Sequence, residues 1–400
     1  MRSTGFDNDE LRRLHDAMAG HVERGALPGL IALVARGTDP HVDAIGTGAL
    51  DGGRPMSRDS IFRIASLTKP IAAVAAMMLV DDGVLRLDDA IDTFVPELAN
   101  RKVLRSLDAE LDDTVPARRA ITVDDVLTFR FGFGNPMVAP DSYPIQRAEA
   151  VLELRGLGPP WPPTPHTPDA WIERFASLPL MYQPGERWLY DTAASVLGVL
   201  IARCAGRPLE AFLRERIFGP LGMDDTAFSV PANKLERLTT AYMPNPESGT
   251  LTMLDGVEPS WWSAPPAFPS AAGGLVSTID DYWAFVQMLL NRGVHEGKRL
   301  VSEASVARMT SDQLTREQRE SARLFVGENG SWGLGVSVPA AGSDPHAVPG
   351  GFGWDGGTGT TWRSNIDRDL TGILFTQRAM TSPEPPQIFT DFWNHASRAV

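Results

Sequence analysis

The sequence predicts a mixed α/β protein in which one antiparallel sheet, built from both ends of the chain, is flanked by helices and carries an inserted, mainly helical lobe. Three observations favour this fold class. Strand-like segments occur near the N-terminus and again after residue 333, helical patterns open and close the chain, and residues 86–250 show mainly helical and loop-like patterns. Helices packed on a sheet bury the apolar face of each element, which is why layered architectures of this kind are stable.

The N-terminal elements follow from apolar spacing. A surface helix is predicted over residues 7–24, where apolar side chains recur at helical intervals, at Leu11, Leu14, Met18 and Val22. Two short apolar runs separated by a turn predict a strand pair, at Leu30–Ala35 and Val42–Ile45. The unbroken apolar run Ile71–Val80 predicts a buried helix that ends at Asp81-Asp82-Gly83, with the glycine in the C′ position.

Later segments complete the prediction. Thr122, followed by acidic residues, predicts a helix start, and Ala193–Ala205 reads as a second buried helix. A helix near residues 280–292, three C-terminal strands and a closing amphipathic helix follow, the strands being predicted at residues 333–338, 359–364 and 370–377. We therefore expect an α/β sheet domain of residues 1–85 and 255–400, a mainly helical domain of residues 86–254, and an active site at their interface.

Composition excludes several classes of function. The chain of 400 residues has 43% hydrophobic and 22% charged residues, which is typical of a globular protein with a sizeable core. Its formal net charge of -13 argues against nucleic-acid partners and against binding to anionic membrane surfaces. We expect a small-molecule substrate as the partner, and the oligomeric state stays open.

Cysteine and histidine usage argues against disulfide and metal chemistry. Cys204 is the single cysteine, and its apolar surroundings suggest a packed helical thiol. The seven histidines show no metal-ligand spacing, so no metal and no other cofactor is expected. No apolar stretch reaches membrane-spanning length and the N-terminal residues lack a signal-peptide pattern, so a cytoplasmic protein is expected.

A serine and a lysine stand at the start of the predicted buried helix, in Ser66-Leu67-Thr68-Lys69. Residues three apart share one helix face, so the hydroxyl and the amine can point to the same spot, as a nucleophile and its base require. The helix N-terminus favours a developing oxyanion and disfavours a protonated amine. The alternative is a capping serine followed by an ordinary lysine, although burying an unpaired ammonium is expensive.

Three motifs in order resemble those of the serine β-lactamase and penicillin-binding-protein superfamily. They are Ser66-Leu67-Thr68-Lys69, Tyr190-Asp191-Thr192 and Trp354-Asp355-Gly356. The chain looks most similar to the class C branch of this superfamily and to the family VIII carboxylesterases. Flanking stretches agree, including Phe62-Arg63-Ile64 and Gly273-Gly274-Leu275.

The resemblance implies roles for these residues. Ser66 would attack a carbonyl and form an acyl-enzyme, with Lys69 and Tyr190 sharing general-base work. The backbone amides of Ser66 and Gly357 would form the oxyanion hole, with the third motif on an edge strand. Each of these two groups needs a large pKa shift to act as a base near neutrality. Burial can depress the pKa of the lysine and a nearby cation that of the tyrosine, and the two are expected to titrate as a coupled pair. Which of them takes the serine proton stays open. Substrate contacts are implied at Trp354, Asp355, Gly356, Asp191, Thr192 and Phe131.

Departures from the family pattern bear on the substrate. Trp354 stands where lactam-processing relatives carry a lysine or histidine that holds a substrate carboxylate, and Thr192 stands where they carry an asparagine. Both changes favour uncharged esters, and a tryptophan at the first of these positions is similar to the family VIII esterases. The segment around Phe131 also departs from the usual pattern, which is expected to reshape the pocket.

The sequence therefore predicts a serine carboxylesterase acting on esters of short or medium acyl groups. An acyltransferase of the same superfamily and a β-lactamase or D-amino-acid amidase are alternatives, and a catalytically silent binding protein is a remote one. A Ser-His-Asp hydrolase is disfavoured because no Gly-x-Ser-x-Gly elbow occurs.

Overall fold

The computed structural model describes residues 5–154, 164–343 and 351–400. The helices are α1 (Asn8–Glu23), α2 (Thr68–Asp81), α3 (Val123–Leu127), α4 (Pro144–Val151), α5 (Pro168–Ala176), α6 (Thr192–Ala205), α7 (Leu209–Leu213), α8 (Gly219–Leu221), α9 (Ile279–Leu290), α10 (Glu303–Met309), α11 (Arg316–Val326) and α12 (Gln387–Ala399). The strands are β1 (Gly29–Arg36), β2 (Asp39–Ala49), β3 (Gly52–Pro55), β4 (Phe62–Arg63), β5 (Lys102–Leu104), β6 (Thr114–Pro116), β7 (Ala241–Pro244), β8 (Leu251–Asp255), β9 (Val276–Ser277), β10 (Val294–His295), β11 (Lys298–Arg299), β12 (Gly330–Trp332), β13 (Ser337–Pro339), β14 (Phe352–Gly356), β15 (Thr360–Asn365) and β16 (Leu370–Thr376).

One antiparallel sheet joins the two ends of the chain. Its eight strands run in the order β12-β13-β14-β15-β16-β1-β2-β3. The N-terminal and C-terminal parts meet where β1 pairs with β16, in a register that sets Leu33 opposite Ile373. The predicted fold class, an antiparallel sheet from both termini flanked by helices, is confirmed.

The central strand β1 is buried on both faces, and its side chains alternate between two hydrophobic cores. Ile31, Leu33 and Ala35 face the main core, which contains α2 and α9. Their neighbours Leu30, Ala32 and Val34 face a second core against α1 and α12. The two-residue period of a strand explains the alternation. The terminal helices therefore cover one face of the sheet, and helix α2, which follows Ser66, lies on the other.

Helix α2 is buried almost all round, as its unbroken apolar sequence predicts. Every residue from Thr68 to Leu79 is buried. The helix ends as predicted, with Gly83 at a φ of 73°, a conformation that glycine adopts without a steric penalty. A helix that is apolar on all sides belongs inside a protein, so α2 gives the site a rigid support.

Two predictions about the elements need correction. The strand expected at residues 333–338 is shorter, Ser337–Pro339, because Gly335 has a φ of 75° and its backbone N–H donates to the Leu127 carbonyl instead of a strand. The middle of the chain contains the short hairpins β5–β6 and β7–β8 as well as helices. The division into two domains stays a prediction. An irregular segment was also predicted at Gly156–Pro165, and its residues 156–163 lie outside the described residues. Within the described ranges, no helix is both long and apolar enough to cross a membrane.

Candidate active site

Ser66 lies on a tight turn that links β4 to α2. The short 3₁₀ turn Ala65–Leu67 precedes the helix, and Ala65 adopts a φ of 43°. A left-handed conformation at a residue with a side chain costs on the order of 1 kcal/mol and persists only where the surroundings enforce it. Here β4 pairs with β9, and the Ile64 N–H donates to the Leu275 carbonyl at 3.1 Å. Neighbouring strands thus hold the serine in place.

Lys69 lies one helical turn later, with its side chain 1% exposed. Its ammonium nitrogen Nζ is 2.9 Å from Ser66 Oγ, 2.8 Å from Asp191 Oδ1 and 2.5 Å from the Ala272 carbonyl oxygen. An ammonium has three N–H donors, and three acceptors surround it. The geometry is that of a charged lysine whose hydrogen bonds are all satisfied.

The charge state of Lys69 differs from the expectation drawn from the sequence. Burial lowers the pKa of Lys69, but the Asp191 carboxylate and the Tyr190 phenol oppose it and raise the pKa above its ordinary value. The net direction is therefore opposite to the lowering that burial alone predicts, because an acidic partner lies within hydrogen-bond distance. Besides Lys69, the titratable side chain within hydrogen-bond distance of the Ser66 hydroxyl is Tyr190.

The Tyr190 hydroxyl completes the cluster. Its Oη lies 2.8 Å from Ser66 Oγ and accepts a hydrogen bond from Trp354 Nε1 at 3.0 Å. The Lys69 ammonium also lies 4.7 Å from the centre of the Tyr190 ring. The phenol therefore has an indole N–H and a buried cation beside it. The structure thus brings Ser66, Lys69 and Tyr190 together from two distant parts of the chain.

Aromatic rings enclose the tyrosine. The ring centroid of Tyr190 lies 4.4 Å from that of Phe325, 5.7 Å from Trp188 and 6.1 Å from Phe129. Sequence reasoning missed Phe325, which reaches the site from α11, and its only signal was an amphipathic pattern remote from every motif. Rings packed at these distances fix the orientation of the phenol.

The third motif lies beside the nucleophile turn. A Cβ added to Gly356 would stand 2.4 Å from the Ile64 carbonyl oxygen, so only glycine permits this approach of β14. Within the described part of the chain, the backbone N–H groups of Ser66 and Gly357 have no protein acceptor. Donors left unpaired in this way are available to a ligand.

The third motif was predicted to lie on an edge strand, and this prediction is wrong. Its strand, β14, lies between β13 and β15. Strand β13 pairs with β14, but only through Ser337 and Gly353. Residues after Gly353 therefore keep one side of the strand open.

The remaining predicted contacts lie in different places. Asp191 contacts Lys69, while Asp355 forms a two-bond ion pair with Arg363, at 3.0 and 2.8 Å. Thr192 is the first residue of α6 and is 5% exposed. Phe131 is fully buried, with its ring centroid 6.0 Å from that of Phe175, and none of the ring contacts among the described residues joins it to Tyr190.

Metal ligands are not grouped in the part of the chain that the structure describes, where no set of three or more histidine, cysteine or acidic side chains is arranged to hold an ion. Cys204 lies away from the cluster on α6, and burial raises the pKa of its thiol to about 12. A thiol with so high a pKa is a poor nucleophile.

Fold and cluster together define a β-lactamase-like protein with a serine, a lysine and a tyrosine at one point. The chain belongs to the beta-lactamase family, whose sequence profile matches residues 14–389. Protein Rv1367c of Mycobacterium tuberculosis is 40% identical over 363 residues, which cover 89% of this chain and 87% of that protein. Esterase EstB of Burkholderia gladioli is 29% identical over 385 residues, covering 90% of this chain and 88% of EstB.

The fold comparison agrees. The solved structure of EstCE1, a hydrolase with promiscuous acyltransferase activity, gives a TM-score of 0.79 at 22% identity, over 98% of this chain and 99% of EstCE1. The resemblance to the serine β-lactamase and penicillin-binding-protein superfamily is confirmed, and the family of this chain includes esterases.

Proposed function

We propose that this protein is a serine carboxylesterase of the family VIII type, which cleaves esters of short or medium acyl groups through an acyl-enzyme on Ser66. One observation carries the proposal: Ser66 Oγ lies 2.9 Å from Lys69 Nζ and 2.8 Å from Tyr190 Oη. A hydroxyl in contact with both a cation and a second hydroxyl is set up to lose its proton and attack a carbonyl.

Tyr190 is the proton acceptor in this mechanism and Lys69 stays an ammonium. In the proposed mechanism Tyr190 starts as a phenolate, which can accept the proton. Two groups beside its oxygen would stabilise that charge, the Lys69 ammonium, whose pKa is raised, and the Trp354 N–H. The Ser66 proton moves to Tyr190 Oη as Oγ bonds to the ester carbonyl carbon. The carbonyl oxygen becomes an oxyanion, which the N–H groups of Ser66 and Gly357 stabilise.

The second half of the reaction reverses these proton movements. As the intermediate collapses, the bond to the alcohol breaks and Tyr190 returns its proton to the departing alcohol oxygen. Water then attacks the acyl-enzyme, Tyr190 takes a water proton, and the carboxylic acid leaves as Ser66 recovers its hydrogen. No redox step or further reactant is needed.

The charges near the third motif favour an uncharged substrate. The Trp354 N–H is directed at Tyr190, and the Arg363 guanidinium is held by Asp355. Neither group is therefore free to hold a substrate carboxylate, which supports esters over β-lactams. The departures at Trp354 and Thr192 also favour uncharged esters, and the tryptophan is similar to that of the family VIII esterases. The acyl-chain range is part of the proposal and is tested below.

Acyl transfer is the second candidate, because the acyl-enzyme is common to both reactions and the fold is similar to that of EstCE1, which shows promiscuous acyltransferase activity. Only the acceptor differs. Adding a primary alcohol during ester turnover separates the two, since a transferase forms a new ester in water while a hydrolase releases mainly acid.

The proposal is tested with p-nitrophenyl esters of increasing chain length, a chromogenic cephalosporin and the variant Ser66→Ala. We expect turnover of the acetate and butyrate esters, little cephalosporin cleavage, and a loss of about 10⁴-fold or more in the variant. A fluorophosphonate should label the native protein at Ser66, as measured by mass spectrometry. The control is Ser364→Ala, which changes a buried serine in β15 bonded to Thr371. Ester turnover that survives Ser66→Ala contradicts the proposal.

A further inference from the structure

We propose that Thr358 and Thr360 are positioning residues that hold the two halves of the oxyanion hole together through their side-chain hydroxyls. The inference rests on the proposed function and adds to it two residues that none of the three motifs contains. It concerns how the N–H groups of Ser66 and Gly357 are kept at a fixed separation.

The two halves belong to separate elements of the fold. The Ser66 N–H lies in the turn after β4, whereas the Gly357 N–H lies just after β14. The Thr358 hydroxyl donates to the carbonyl of Arg63, and the Thr360 hydroxyl donates to the carbonyl of Ile64 at 3.1 Å. Both threonines are buried, at 3% and 0% exposure. Two hydrogen bonds thus join the glycine-rich turn to the residues directly before Ala65 and Ser66.

The Gly357 N–H has a fixed direction within its turn. The Gly359 N–H donates to the Gly356 carbonyl at 2.9 Å, and the Met380 N–H donates to the Gly357 carbonyl at 2.8 Å. In a trans peptide the N–H points opposite the carbonyl, so anchoring the Gly356 carbonyl inside the turn directs the Gly357 N–H out of it. The turn is therefore rigid, and what stays adjustable is its distance from the serine turn.

The contact between the two turns is direct and close. A Cβ added to Gly356 would stand 2.2 Å from Thr360 Oγ1 and 2.4 Å from the Ile64 carbonyl oxygen. No side chain fits between them, so the threonine hydroxyl sets the spacing. Donors in an oxyanion hole must lie close to where the oxyanion forms, and a misplacement of about 1 Å costs up to 10²-fold in rate.

The Thr360 hydroxyl is not needed merely to give the buried Ile64 carbonyl a hydrogen-bond partner. The Ile64 carbonyl already accepts the Leu67 N–H at 3.1 Å, so the hydroxyl is a second donor. Because the carbonyl keeps a partner, Thr360→Val leaves no unpaired buried group on the nucleophile turn. Thr358→Val does remove the hydroxyl donor from the Arg63 carbonyl, which makes Thr360 the cleaner position to test.

The experiment compares Thr360→Val with Thr360→Ser and with a control in the same strand, Thr361→Val. Thr361 faces the other side of the sheet, where its hydroxyl accepts the Trp393 Nε1–H at 3.4 Å. Kinetics use a p-nitrophenyl ester, and a boronic acid that forms a tetrahedral adduct with the serine reports binding at the oxyanion hole. Thr358→Val and Thr358→Ser form a second matched pair.

We expect kcat to fall about 10- to 100-fold in each valine variant, with KM changed less than about threefold. The boronate inhibition constant should rise in step with the loss in kcat, the serine variants should recover most of the rate, and Thr361→Val should match the native enzyme. Unchanged kcat and boronate affinity in folded Thr360→Val overturn the inference. If that variant does not fold, Thr360→Ser decides, since its hydroxyl is retained and a large loss of rate there contradicts the role.

Failure of this inference and failure of the proposed function look different. Ester turnover that depends on Ser66 but is indifferent to both threonines removes only the positioning role. Turnover that does not depend on Ser66 removes the proposed function, and the positioning role with it.

Discussion

Two buried cations flank the nucleophile at equal distances along the chain, Arg63 three residues before Ser66 and Lys69 three residues after it. Each side chain is 1% exposed and each is paired with a carboxylate. The partners differ in exposure: Asp255, the partner of Arg63, is 5% exposed, whereas Asp191, the partner of Lys69, is 30% exposed. The Arg63–Asp255 pair is therefore suited to a structural role, and the more exposed Lys69–Asp191 pair is accessible to a substrate.

The acceptors explain the difference. Arg63 donates to Asp255, to Ser260 and to the carbonyls of Thr239 and Gly256, all of them in the segment 239–260. Lys69 directs one of its three hydrogen bonds at the reacting hydroxyl. An arginine stays charged under all ordinary conditions, while a lysine can give up its proton. Arg63 therefore fixes the position of the strand before Ser66. Lys69, by contrast, contacts the Ser66 hydroxyl with a group whose protonation can change.

The largest effect on stability is expected when the ion pair between Arg63 and Asp255 is broken. Asp255→Ala leaves Arg63 buried without its carboxylate, which should lower the free energy of unfolding by about 3–5 kcal/mol. Urea unfolding followed by circular dichroism measures it. The double variant Arg63→Met with Asp255→Leu removes both charges and should regain most of the loss. A single variant within about 1 kcal/mol of the native protein would show that this pair is not structural.

A smaller effect is expected at the second pair. Asp191→Asn keeps an oxygen for Lys69 but removes the charge that raises its pKa, so burial then lowers that pKa. Because the proposed mechanism uses the ammonium, the alkaline limb of kcat/KM should move to lower pH, and activity at pH 9 should fall about 10-fold or more relative to pH 6.5. Stability should change less than in Asp255→Ala, since the lysine can lose its proton. A pH profile superimposable on the native one contradicts the assignment of a charged Lys69.

The smallest effect is expected at an exposed pair near the same strands. Arg58 and Asp280 form a two-bond ion pair with exposures of 52% and 45%. Solvent screens such pairs, so Arg58→Ala should cost no more than about 1 kcal/mol and leave the kinetics unchanged. The same urea and ester assays measure both quantities. A loss comparable to that of Asp255→Ala would undermine the use of burial to rank the three pairs.

Local patterns in the sequence predicted much of the fold. The apolar run of α2, the strand pair β1–β2 and the Thr122 cap depend on neighbours in the chain, and the structure contains all of them. The convergence of Ser66 and Lys69 follows from helical spacing alone. The contact between Ser66 and Tyr190 was expected only from the family resemblance. The two residues are 124 positions apart, and local sequence patterns carry no information on contacts at that separation.

What the sequence could not show depends on tertiary placement. Asp191 has a φ of 85°, and no local signal indicated that its carboxylate would lie against Lys69. Burial of the lysine was foreseen but its acidic partner was not, so the net direction of its pKa shift is opposite to the lowering that burial alone predicts. Likewise, no hydrogen-bond partner of the Trp354 N–H could be predicted from the sequence, and in the structure this group donates to the Tyr190 hydroxyl.

The aromatic enclosure of Tyr190 gives the enzyme a built-in optical reporter. The indoles of Trp188 and Trp354 both lie 5.7 Å from the phenol ring. Ionisation of the phenol would place a negative charge beside both indoles and make the ring a stronger electron donor, and tryptophan emission is sensitive to both changes. If Tyr190 gains and loses a proton during turnover as proposed, the intrinsic tryptophan fluorescence should change with it. Stopped-flow emission from the unlabelled protein could then follow a single acylation event.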